Sequence, residues 1–462
     1  MVATWELRAR FAVRLAEMYG SEVPAYHTLV DVCTEVNAEA AKGRDDERLG
    51  SIERVTAERH GAIRVGSPRE LAKVARVFAA FGMLPVGFYD LRDASASSVP
   101  VVSTAFRPVE AAELARNPFR VFTSMLVTED RRFFDAETEG RLQEFVAGRT
   151  LFGTELLELA DRASAEGGLG DRDAERLLGL ATDAFRLTSE PIEREWYDHL
   201  ERISAVAADI GGVPATHINH LTPRVLDIDE LYARMQARGI AMISEIQGPP
   251  AWEGPDVLLR QTSFRALAEE RVFRHQDGSV QQGSLRVRFG EVEQRGIALT
   301  RKGRDLYDRL VVEIDRRLGE GQGLSRQEVA LAVWRGGLPS TEAELESLGL
   351  GFFSYRVAGA APPVERASLR DLVASGVLVP EPIVYEDFLP RSAAGIFQSN
   401  LSDEGTRDDE QAGAEYDLGR LAELVGAEIR DPFDLYAAQR AASLREAEQI
   451  LGLRIDDDRL EQ

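Results

Sequence analysis

At 462 residues with 44% hydrophobic composition, the chain is long enough to bury a large core, so it reads as globular rather than disordered. A formal charge of -23 argues against a nucleic-acid partner, because phosphates are repelled over most of such a surface. One cysteine, Cys33, excludes an intramolecular disulfide framework and fits a reducing compartment.

Trp5, Leu7, Phe11, Leu15 and Met18 recur at helical spacing, and a second apolar-periodic run follows Pro24, so residues 4–41 predict two helices. This N-terminus mixes charged and apolar residues and lacks the continuous apolar core of a signal peptide. No stretch approaches the roughly 20 apolar residues that span a bilayer. The expected location is the cytoplasm, with no membrane partner.

From Ile52 to Tyr89, short extended pieces (GAIRVGS, GFYDL) flank an amphipathic helix whose start is marked by Ser67-Pro68-Arg69-Glu70, a β-α-β signal. VVSTAFRPVE and FRVFTSML add further extended pieces. Residues 132–212 turn helical, with a break at GGLGD (167–171), and read as an insertion between strands. Residues 213–300 return to extended character. They include a hairpin turn at Asp277-Gly278 and a long strand from Ser284 to Ala298.

A charged helix (TRKGRDLYDRLVVEIDRRL) and a C-terminal extended pair (LGFFSYRV, VPEPIVYEDFL) follow. No internal repeat is evident at the residue level. The expectation is an α+β fold around a mixed or antiparallel sheet. It divides into an N-terminal helical segment (1–55), a β-rich core (56–310) carrying the insertion, and a C-terminal α+β part (311–462) that completes a pocket.

Chemistry concentrates on three strand-like segments. A period of two puts His60, Ala62 and Arg64 on one face, which suits a metal ligand beside an anion anchor. His217 and His220 fall on opposite faces of ATHINHLTPR, so only one can join a given site; His220 is the choice and His217 the substitute. Leu285, Val287, Phe289, Glu291, Glu293 and Arg295 share a face of the third segment. A buried carboxylate is costly unless paired or bound to metal, so Glu293 is either a ligand or the partner of an arginine such as Arg295. His27, His199 and His275 lie in charged helical stretches or beside a turn and suit surface or capping roles. Walker, dinucleotide, HExxH and GxSxG motifs are absent. Two imidazoles and one carboxylate are the ligand set of non-heme Fe(II) oxygenases.

HGAIR (60–64), NHLTPR (219–224), EQRGIALT (293–300) and EDFLPRSAAGIFQSNL (386–401) resemble the motifs of the 2-oxoadipate dioxygenase/decarboxylase (2-hydroxyglutarate synthase) family. The resemblance runs from the first helices to about residue 401. It implies an elaborated vicinal-oxygen-chelate-like core holding Fe(II), with His60, His220 and Glu293 as ligands and Arg64 as substrate anchor. It also implies contacts from the loop carrying Arg391 and Ser392. Arg391 stands where the family motif has a small apolar residue, which leaves a backbone contact or an altered pocket. The implied substrates are a 2-oxo dicarboxylate, foremost 2-oxoadipate, and dioxygen, in a step of lysine breakdown. Two other readings compete: a non-oxidative metal-dependent isomerase or lyase, and a non-catalytic dicarboxylate-binding protein.

Overall fold

The computed structural model describes residues 1–42, 55, 59–94, 99–320, 325–361, 363–400, 405–408 and 410–457. The expected boundary at 55/56 and the last motif residue, Leu401, fall at or in stretches outside these. The N-terminal periodicity gives helices α1 (Thr4–Glu22) and α2 (Ala25–Ala41), whose Leu7, Phe11, Leu15, Leu29 and Val32 are buried. No described helix is long and apolar enough to cross a membrane.

The first unit then follows as strand β1 (Arg59–Val65), helix α3 (Pro68–Ala79), and strands β2 (Leu84–Asp90), β3 (Val101–Arg107) and β4 (Arg120–Leu126). Ser67 starts α3 by accepting from the Glu70 N–H at 3.3 Å, and Pro68 fills a position whose N–H needs no partner. The helices α4 (Ala136–Gly148), α5 (Thr154–Glu166), α6 (Asp171–Ala184), α7 (Arg194–Ile203) and α8 (Ala205–Gly211) form the expected insertion. Gly167, at φ 71°, closes α5 in the left-handed conformation that a Cβ disfavours.

Strand β5 (His220–Pro223) joins the sheet in the order β2-β3-β4-β1-β5, with β1 parallel to β4 and antiparallel to β5. The sheet is therefore mixed, as expected. Ile63, Val65 and Val121 point to the side covered by α3 and α1, whereas Ala62, Ala105 and Phe122 point to the other. That second face carries the site.

After β5 come helix α9 (Ile228–Ala237) and strands β6 (Leu259–Ser263), β7 (Glu269–Arg274), β8 (Val280–Leu285) and β9 (Glu291–Arg295). β7 and β8 make the hairpin expected at Asp277-Gly278, with Gly278 at φ 82°. The single long strand expected from Ser284 to Ala298 is broken. β8 pairs with β7, whereas β9 pairs antiparallel with β6 beside β5, and the chain crosses between these sheets at 286–290. Gly290 allows the crossing, since a Cβ there would meet the Phe264 ring at 1.9 Å. The Val225 N–H donates to the Glu293 carbonyl at 2.8 Å and locks β9 against β5.

Helix α10 (Arg301–Gly319) and the antiparallel pair β10 (Phe353–Val357) and β11 (Leu378–Pro382) follow, then α11 (Pro390–Asn400) and α12 (Pro432–Leu451). The segment expected as a loop around Arg391 is the start of α11, because Pro390 occupies its first position.

The fold also reveals a repeat that is easily overlooked in the sequence. β1-α3 and β5-α9 carry one pattern: His60, Arg64, Val65, Ser67, Glu70 and Leu71 match His220, Arg224, Val225, Asp227, Glu230 and Leu231 in spacing. Ser67 and Asp227 cap their helices in the same way, each accepting from the N–H of the following Glu. The two strands pair with Gly61 opposite Leu221, His60 opposite Thr222 and Ala62 opposite His220, which is a local two-fold arrangement.

Candidate metal centre

The two-fold pairing brings the histidines together on one face of the sheet. The His60 and His220 rings lie 5.3 Å apart, centre to centre, and nearly perpendicular. β9 adds the acid. Glu291 Oε2 is 3.1 Å from His60 Nε2 and 2.8 Å from His220 Nδ1, and it accepts from the Thr222 hydroxyl at 3.1 Å. One donor atom from each of His60, His220 and Glu291 lies within 4.8 Å of the others, and all three residues are buried. No other such group occurs among the described residues. Burial alone would raise the Glu291 pKa, but the His220 and His60 imidazoles outweigh it and hold it at about 2. The His60 pKa is raised despite burial, because Glu293 and Glu291 both face it, whereas burial dominates at His220 and lowers it.

Glu293, expected as the acidic member, stands one step away. Arg295 closes on it as a two-point fork, Nε to Oε1 at 2.7 Å and Nη2 to Oε2 at 2.8 Å. Its pKa is also held at about 2, with Arg295 the largest of the groups opposing burial. Glu293 Oε2 lies 2.8 Å from His60 Nδ1, so it meets the ring nitrogen that faces away from Glu291. The expectation of Glu293 in the three-residue cluster is therefore corrected to Glu291. Period-two alternation sends both carboxylates inward, and the arginine two residues on engages the nearer one.

Arg64 lies on the same face of β1 as His60 and is 4% exposed. Its Nη1 donates to Asp209 on α8, and Asn219 Nδ2 donates to the same Asp209 oxygen at 3.1 Å. His217, the substitute ligand, belongs to this group and not to the metal cluster. It sits 3.4 Å from Asp209 and 3.1 Å from Asn219, and burial pushes its pKa down to about 4. Sequence reasoning had no signal for Asp209, which comes from the helical insertion.

The Arg391 side chain points outward to Asp315 at 2.9 Å and is 60% exposed, which leaves only its backbone for the substrate contact that the resemblance implies. Ser392, one residue on, is buried at 4%, and the adjoining Ala393 packs on the cluster containing Ala62 and Phe388. Of the remaining histidines, His275 pairs with Glu195 and His199 lies 3.1 Å from the Thr138 hydroxyl.

The segment before α11 roofs the centre. Arg120 Nη2 donates to Glu386 at 2.6 Å, and Arg107 grips Asp387 at 2.8 and 3.1 Å, with the Tyr436 hydroxyl also donating to Asp387. Arg295 Nη1 adds bonds to the Tyr385 and Asp387 carbonyls at 2.8 and 3.1 Å. These bonds hold the Phe388 ring 5.0 Å from the His60 ring and 4.8 Å from Phe122. With Phe289 5.3 Å from His220, aromatic walls keep bulk water from the cluster.

A family model described as 2-oxoadipate dioxygenase/decarboxylase matches residues 11–400. A 2-oxoadipate dioxygenase/decarboxylase of Mycobacterium tuberculosis is 56% identical over 436 residues, covering 94% of this chain and 96% of that protein. One from Pseudomonas putida is 40% identical, covering 97% of each. The crystal structure of the hydroxyglutarate synthase in complex with 2-oxoadipate from Pseudomonas putida superposes with a TM-score of 0.84 at 38% identity. It covers 98% of this chain and 99% of that one.

Proposed function

This chain belongs to the 2-oxoadipate dioxygenase/decarboxylase family, and on that premise we propose that His60, His220 and Glu291 hold a ferrous ion at which 2-oxoadipate and dioxygen become 2-hydroxyglutarate and carbon dioxide. Atoms balance without a second organic cosubstrate: one carbon leaves as carbon dioxide and both oxygen atoms are retained among the products. The family is one of oxygen-using enzymes, and the Pseudomonas putida relative binds 2-oxoadipate in its crystal structure. The buried His60–Glu291–His220 cluster beside an arginine carries the proposal.

The donor set fits the ion. Two imidazoles and one carboxylate, close enough to share a cation and with the carboxylate ionised at neutral pH, match a divalent first-row metal with open positions. Ferrous iron there would supply electrons for dioxygen activation and a charged centre for chelation by the 2-oxo acid.

The protein's own part is orientation. Glu293 against Nδ1 of His60 favours the proton on that nitrogen and leaves Nε2 facing Glu291. Arg295 fixes Glu293, and Thr222 fixes Glu291. Arg64, oriented by Asp209, takes the distal carboxylate of the substrate as a planar fork, which selects a dicarboxylate and sets which carbon faces the centre. Ser392, buried at the start of α11, is assigned to the same pocket on the strength of the family resemblance. Phe388 and Phe289, packed on the two imidazoles, shield the centre from water. A cytoplasmic location fits the single, buried Cys33.

Anaerobic reconstitution with Fe(II), followed by oxygen-electrode traces with 2-oxo acids of increasing length, tests the reading. The expected result is uptake that requires both iron and 2-oxoadipate, with 2-hydroxyglutarate as product. Turnover of an oxo acid without uptake would replace it with the isomerase or lyase reading.

A further inference from the structure

The two β-α units are equivalent beyond their histidines. In the second unit β9 runs parallel beside β5 with Glu293 next to Arg224, which sets Glu291 next to Thr222. In the first, β4 runs parallel to β1 with Ser124 next to Arg64 and Phe122 next to Ala62. Matching Arg64 to Arg224 through the repeat therefore places Phe122 at the station of Glu291, and Ala62 at that of Thr222. The chemistry of both positions changes together. Thr222 donates to Glu291 at 3.1 Å, whereas Ala62 and Phe122 belong to one apolar cluster.

The local two-fold that duplicates the histidine would, applied to the acid, give four protein donors, one imidazole and one carboxylate from each unit. Phe122 withholds the fourth. It is 3% exposed, and its ring packs 4.8 Å from Phe388, itself 5.0 Å from His60. The side of the cluster across the axis from Glu291 is thus walled by benzene rings, which offer a metal nothing. Three donors on a six-position ion leave three positions for substrates, and a fourth protein donor would remove one of them.

Resting on the reading of the centre as an oxygenase, we propose that Phe122 is the positioning residue that keeps the metal open, so that the reaction class of the site depends on the side chain at 122. The test uses the full chain loaded with cobalt(II), in wild-type, Phe122→Glu and Phe122→Leu forms, and reads the visible ligand-field spectrum and metal affinity by chelator competition. Phe122→Glu is expected to shift the spectrum, bind metal more tightly and lose the spectral response to 2-oxoadipate, while Phe122→Leu keeps the wild-type spectrum and affinity. A folded Phe122→Glu protein with wild-type spectrum, affinity and response overturns the proposal. Should Phe122→Glu not fold, Phe122→His, an uncharged donor, decides by the same readouts. Wild-type protein that consumes no dioxygen with any 2-oxo acid would instead overturn the oxygenase reading, and the cobalt spectra of the variants remain a separate measurement.

Discussion

Glu291→Gln and Glu293→Gln should separate two carboxylates that the sequence alone makes look alike. Glu291 meets both imidazoles and Thr222, and in the apoprotein its removal leaves two histidines able to stay neutral, so the stability change should be about 1 kcal/mol. Loss of stoichiometric iron binding is expected all the same, because a donor is gone. Glu293 is the reverse case. Its removal takes from Arg295, 1% exposed, the carboxylate that its fork grips, and breaking a buried pair costs roughly 3–5 kcal/mol. Metal binding should survive but weaken about 10–100-fold, as for other groups that orient a ligand, equivalent to about 1.4–2.7 kcal/mol. Urea unfolding of the apoproteins and chelator competition with Fe(II) under nitrogen measure the two quantities independently. A Glu291→Gln protein that keeps wild-type affinity, beside a Glu293→Gln protein that binds no iron, would refute the assignment.

Arg64→Lys replaces a fork with a point charge and should lower turnover on the order of 100-fold with iron retained, since misplacing the substrate by about 1 Å has such a cost; near-normal kinetics would remove Arg64 from the pocket. Arg391→Ala should leave turnover and KM unchanged and alter stability by less than about 1 kcal/mol, because its ion pair with Asp315 is exposed; a raised KM would restore it to the site. Asp130, buried between Arg92 and Arg132, has its pKa lowered because Arg132 and Arg92 outweigh burial. Its contribution is present above the unfolded carboxylate pKa of about 3.9 and is lost as pH falls below it. The stability gap between wild type and Asp130→Asn, roughly 3 kcal/mol at pH 7 by urea unfolding, should therefore close on acidification; a gap that widens there would contradict the pairing.

Much of this was legible in the sequence because period and capping are local. Ser67-Pro68 announced α3, Asp277-Gly278 announced the hairpin, and alternation put His60 and Arg64 on one face. The choice between Glu291 and Glu293 was not local. Both point inward, and only the closure of Arg295 on Glu293 and the approach of β5 to β9 decide which carboxylate faces the two imidazoles. Asp209 was invisible for a similar reason, since it reaches Arg64 from a helix far along the chain. The outward turn of Arg391 was hidden because the segment was read as a loop, whereas Pro390 starts a helix that directs that side chain away from the sheet. The repeat of β1-α3 in β5-α9 was printed in the sequence, but its matching positions are scattered among unlike residues and gain meaning only when the strands are seen to pair.

The clasp of Glu386 and Asp387 by Arg120 and Arg107 has a temporal consequence. Synthesis proceeds from the N-terminus, so His60, His220 and Glu291 all leave the ribosome before the stretch that seats Phe388 over them. A nascent chain can thus present all three donors while the centre still lies open to solvent. Closure of the chamber is tied to completion of the polypeptide, and a chain ending before residue 386 lacks both the carboxylates of the clasp and the ring they seat.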